Sequence, residues 1–157
     1  MDEELENEEL ESEEEIAERE RQERIQELEE NINNYNNAID EYTSQLNSSC
    51  ETKDKWEIFK RNIEEIIRKL NDAKKEGEEA NQQLTEAYIS VVATRKSQGL
   101  SDCENQIQDI INKLQSTILT SINNKINDLN SDVNRWEAEI SSAQNVLTEL
   151  ETELDTI

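Results

Sequence analysis

The sequence predicts an all-α fold: an elongated antiparallel three-helix bundle, or coiled coil, from which a hairpin of the second and third helices protrudes. Three observations predict it. The 157 residues include no Pro and only two Gly, too few turn formers for a sandwich, a barrel or a βαβ fold. Charged residues make up 35% against 32% hydrophobic, so a wide apolar core is out of reach. The apolar residues that remain recur at alternating steps of three and four, the signature of a coiled-coil seam. High charge with low apolar content also marks disordered chains, but this periodicity argues against disorder for residues 25–157.

Residues 1–15 hold ten acids and no base. Such a block repels itself and reads as an acidic tail, disordered or a frayed helix start, that confers solubility. The bundle proper is read as residues 16–157, with helices over about 16–47, 53–97 and 101–156. In the first, Ile25, Leu28, Ile32, Tyr35, Ile39, Tyr42 and Leu46 form an unbroken seam. Asn47, Ser48 and Ser49 end it, although neither Gly nor Pro marks the break.

The second helix continues with Trp56, Phe59, Ile63, Ile66, Leu70, Ala73, Gly77, Ala80, Leu84, Ala87 and Val91. Its first half is large and aromatic and its second half small. Gly77 costs about 1 kcal/mol of helix propensity relative to Ala, which suggests close approach of a neighbour, or a local bend. Gly99 suits the left-handed position after a helix. Ser101 and Glu104 form a capping-box pattern that opens the third helix.

The third seam runs through Leu100, Cys103, Ile107, Ile111, Leu114 and Ile118, then steps by four twice, through Ile122 and Ile126. It resumes through Leu129, Val133, Trp136, Ile140, Ala143, Leu147, Leu150, Leu154 and Ile157. The extra four-residue step is a stutter, which locally unwinds a supercoil. If helices two and three fold back about Gly99, residue i faces roughly residue 198 minus i, and Gly77 lies near Ser121, beside the stutter. If helix one folds back about Cys50, residues 147–157 overhang. A third helix of about 85 Å makes this a rod.

Catalytic chemistry has little to stand on. The chain has no His, which removes the commonest general base, most metal sites and the usual triads. It carries no GxxxxGK[ST] or GxGxxG phosphate loop and no D-x-D-x-D-G calcium loop. The expectation is a protein that is not an enzyme and needs no cofactor or metal. Cys50 and Cys103 fall at opposite ends of helix two in this arrangement, about 70 Å apart, too far for a disulfide. Cys103 reads as a small core residue, and Cys50 as an exposed loop thiol.

A net charge of −23 disfavours nucleic acid and anionic lipid surfaces. No apolar run is long enough for membrane insertion, and the acidic start lacks a secretory h-region. These features suggest cytoplasmic synthesis, and leave export without a cleaved signal open. The expected partner is a helical protein, with a homo-oligomer as the alternative. Ile89, Val91 and Val92 near the hairpin tip, and the overhanging Leu147, Leu150, Leu154 and Ile157, are the candidate partner-binding residues. Ile32, Tyr35, Ile39, Trp56, Phe59, Ile63, Gly77, Leu114, Leu129 and Trp136 are the candidate core seam. For Trp56 and Trp136, docking a partner is the alternative to core packing.

The acid- and Asn-rich helices, the segment Lys55-Trp56-Glu57-Ile58-Phe59 and the run Ile122, Ile126, Leu129 resemble the small α-helical partner proteins of type VII secretion LXG toxins, including the YwqH-like family. That resemblance implies a helical protein that binds the N-terminal domain of a secreted bacterial toxin and helps target it for export. No Trp-x-Gly and no Tyr-x3-Asp/Glu occurs here, so no functional residue carries over.

Overall fold

The computed structural model describes residues 13–87 and 91–157, without the side chains of residues 84, 85, 87 and 91–97. Every described element is helical. Helix α1 spans Glu13–Ala87 (75 residues), α2 spans Val91–Lys113, a π-helical turn covers Leu114–Leu119, and α3 spans Thr120–Thr156. The all-α expectation holds. The three-helix bundle does not form: the expected helices one and two are a single helix, paired antiparallel with the second half of the chain.

The expected break at Asn47-Ser48-Ser49 fails for two reasons. Asn and Ser each weaken a helix by only a few tenths of a kcal/mol relative to its better formers, unlike Gly or Pro. The stripe also continues in phase, because Leu46, Ser49, Lys53 and Trp56 all remain half-buried. The seam becomes polar there without leaving its partner. Cys50 is therefore a half-buried residue inside α1, whereas Cys103 is exposed, and both thiols are free. The environments expected for the two cysteines are interchanged.

Gly99 does not end a helix. It lies inside α2, is exposed, and no described glycine has a positive φ. Helix α1 ends at Ala87, well before Gly99, and α2 begins at Val91. The register moves as well. Lys74 Nζ donates to Gln108 Oε1 at 2.9 Å, and a Cβ on Gly77 would lie 3.8 Å from the Glu104 side chain, far from Ser121. Ser101 and Glu104 are mid-helix residues rather than a cap.

The chain divides into two compact units. One comprises Met1–Leu46 and Arg135–Ile157, the other Asn47–Asn134. In the first, Leu28 and Ala143 are buried. Tyr42 stacks on Trp136 with ring centroids 5.8 Å apart, and the Arg135 guanidinium sits 4.4 Å from the Trp136 ring. Both Arg24 Nε and Nη2 donate to Glu153 Oε1, at 2.9 and 2.6 Å. Arg21 Nε donates to the Ile157 carbonyl at 3.0 Å. Residues 147–157 therefore run alongside the start of α1 and do not overhang.

In the second unit the core is Ile63, Ile67, Ile111 and Ile122, with Trp56, Leu70, Ile107, Leu114, Leu119 and Ile126 packed against it. The π-turn resolves the stutter. A π-turn sets residues i and i+5 above one another, so Leu114 is followed on the inner face by Leu119 and then Ile122. Ile118, expected on the seam, is left 38% exposed.

Candidate helix-docking surface

The hairpin of the second unit uses a different pair of ridges from the one the apolar spacing suggests. Between Trp56 and Asn81 the buried or half-buried positions of α1 are Trp56, Lys60, Ile63, Ile67, Leu70, Lys74, Gly77 and Asn81, at steps of four and three. They share Trp56, Ile63, Leu70 and Gly77 with the expected seam. They replace Phe59, Ile66, Ala73 and Ala80 by the residue that follows each. Lys60 and Lys74 can occupy this edge because a lysine lays its methylene stem on apolar surface and keeps its ammonium wet. The displaced ridge, Phe59, Ile66, Ala73 and Ala80, is apolar at every position and exposed at every position.

The returning strand of helix repeats the arrangement. Ile111 is 2% exposed, whereas its neighbour Ile110 is 48% exposed. Leu119 packs on the core while Ile118 does not. Cys103, Ile110 and Ile118 form an outer ridge in which the extra residue of the π-turn keeps Ile118 in line with Ile110.

Helix geometry puts both ridges on one flank. At about 100° per residue, Phe59 and Ile66 lie some 40–60° to one side of Ile63, and Ile110 lies about 100° to the same rotational side of Ile111. In an antiparallel pair these senses coincide. The other flank differs in character: Glu57, Lys60, Arg61 and Glu64 line a shallow depression there with Ile126. The exposed large hydrophobic residues of the described chain are Ile58, Phe59, Ile66, Ile110 and Ile118; the last four belong to the apolar flank, and Ile58 lies on the rear of α1, one heptad before Glu65. Trp56 completes the flank, half-buried and edge-on to Phe59 at 5.9 Å, with Lys55 closing a small apolar hollow.

Beyond Ile58 the rear of α1 is polar and internally neutralised. Arg68 bonds both Glu65 and Asp72, at 2.6 and 3.1 Å. These bonds from the Arg68 guanidinium hold the Glu65 carboxyl below its ordinary range. No three of Cys, Asp and Glu side chains come together to hold a metal ion among the described residues. No helix there is long and apolar enough to cross a membrane.

The sequence-predicted residues scatter across this picture. Ile89 and the side chains of Val91 and Val92 lie outside the described residues. Leu147, Leu150, Leu154 and Ile157 are half-buried in the first unit, as are Ile32, Tyr35, Ile39 and Trp136. Ile63 and Leu129 are buried, and Gly77, Leu114 and Trp56 half-buried. Phe59 is 44% exposed.

The flank was visible in the sequence through a signal that seam counting passes over. Ile58-Phe59, Ile66-Ile67, Ile110-Ile111 and Ile118-Leu119 are apolar doublets. Adjacent helical residues point about 100° apart, so one neighbour cannot bury both. No known protein family, curated protein or solved structure matches this chain.

Proposed function

We propose that this chain is a non-catalytic helical binding module, an adaptor or targeting chaperone that docks a helix of another protein on the apolar flank of its second unit. One observation carries the reading: Phe59, Ile66, Ile110 and Ile118, four of the five exposed large hydrophobic residues among the described residues, share a single flank. Scattered apolar residues on a surface need no explanation, whereas an aligned set marks an interaction site. The outer ridges recur at close to seven residues, the spacing by which a third helix follows a coiled-coil pair. Helix-in-groove recognition of this kind uses anchors at i, i+3, i+4 and i+7. The resemblance to type VII partner proteins suggests one partner class, the helical N-terminal domain of a secreted toxin.

Site-specific photocrosslinking tests the reading. A photoreactive residue at Ile66 or Ile118 should give adducts with another protein, and one at Glu64 on the charged flank should not. Equal labelling from both flanks would sink the proposal. The same flank would also be buried in a structural homo-oligomer, which is the second reading. Light scattering across a dilution series separates the two: a monomer supports the adaptor, and a dissociating dimer supports self-pairing.

A further inference from the structure

Building on the docking reading, we infer that the occupant of the apolar flank is an acidic amphipathic helix of another protein, selected by lysines on the rim. The chain carries 39 acids against 16 bases, so it is strongly acidic as a whole. The rim of this flank departs from that. Beside the Phe59–Ile66 ridge, the outward positions of α1 are Lys55, Asn62 and Lys69. Beside Ile118 stand Ser121 and Lys125. Lys55, Lys69 and Lys125 are exposed, and Lys69 also reaches Glu65 at 3.5 Å. Two acids share this rim: Glu76, one heptad beyond Lys69, where the ridge has narrowed to Ala73 and Ala80, and Asp128, one heptad beyond Ser121.

A helix laid in the groove presents its own flanking positions to these lysines, as e and g positions do in a coiled coil. Glu at those positions meets unlike charge, and Lys meets like charge. Beyond a Debye length of about 8 Å at physiological salt the rest of the chain is screened. The rim therefore decides the sign of the local interaction, even though the whole molecule is acidic. A second copy is disfavoured on the same ground. Flank-to-flank pairing brings lysine rim toward lysine rim, which repels at short range. An apolar face with a lysine edge also suits an anionic membrane, an occupant that vesicle capture distinguishes from a helix.

Two synthetic peptides of about three heptads, with Leu at a and d, make the test. One carries Glu at e and g and the other Lys. Binding to the full chain is measured by fluorescence anisotropy at 0.15 M salt, with the mass of the protein followed in parallel. The Glu peptide is expected to bind about tenfold more tightly than the Lys peptide, with the gap closing at high salt. Reversing the rim in Lys55→Glu, Lys69→Glu and Lys125→Glu together should invert the preference, with helicity by circular dichroism unchanged. Equal binding of both peptides, or tighter binding of the Lys peptide, overturns the inference and leaves the docking surface standing. No binding by either, with a dimer that Ile66→Glu dissociates, overturns the inference and the docking reading together. Capture of phosphatidylglycerol vesicles without peptide binding does the same.

Discussion

Replacing Gly99 by Ala separates two readings of the chain that differ in sign. If Gly99 ended a helix in the left-handed conformation, a Cβ there would cost about 1–2 kcal/mol. The structure places it inside α2, with no positive φ and no atom within 4 Å of the position a Cβ would take. Ala then relieves the entropic cost of an exposed helical glycine, a gain of about 0.5–1 kcal/mol. Gly77→Ala should act alike. Its Cβ would meet Glu104 Cγ and Oε1 at 3.8 Å, which is ordinary van der Waals contact. The two changes share no neighbour, so their effects should add to about 1–2 kcal/mol. For a chain of this size that raises the melting temperature by about 2–8 °C. Urea and thermal unfolding followed at 222 nm measure both. A Gly99→Ala variant less stable than the parent would refute the placement of Gly99 inside α2, and with it the register of the second unit.

Two further outcomes follow from the same geometry. Ile67 is 7% exposed and Ile66 45%, so Ile67→Ala should cost about 2–4 kcal/mol and Ile66→Ala about 0.5 kcal/mol; similar losses from both in urea titrations would mean that the apolar ridge is not free. Glu65 is held below its ordinary value of 4.5, first by the hydrogen bonds from Arg68. The stability it contributes is thus present above that value and lost as pH falls through its folded-state pKa. Arg68→Ala should raise the Glu65 titration midpoint in a carboxyl NMR titration, and an unmoved midpoint would contradict the Arg68 cause.

Some of this was legible before any coordinates. The lack of Pro and the scarcity of Gly dictate helices, and the three-four spacing dictates that they pair along their lengths. The extra four-residue step near Ile122 announced an irregularity, which the structure realises as the π-turn at Leu114–Leu119. The apolar doublets were equally plain in the sequence and imply a second contact direction, because neighbouring residues on a helix diverge by about 100°.

Other features depend on energies that no local pattern contains. Asn47-Ser48-Ser49 reads as a break because its residues are weak helix formers. The helix continues because half-buried neighbours in the same phase make continuing cheaper than stopping. Gly99 reads as a stop because glycine tolerates a positive φ, yet nothing at that position uses the tolerance. Where a long chain of uniform helical propensity reverses is set by which register buries the most apolar area, a sum over the whole pair. That same sum chose Ile67 over Ile66 and Leu119 over Ile118 for the core, and so left the ridge of Phe59, Ile66, Ile110 and Ile118 facing outward. The amino-acid sequence by itself determined that there would be helices and too many apolar positions for one seam. Only the tertiary pairing decided which of them stayed on the surface, because burial is a property of two helices in a particular register and not of either one alone.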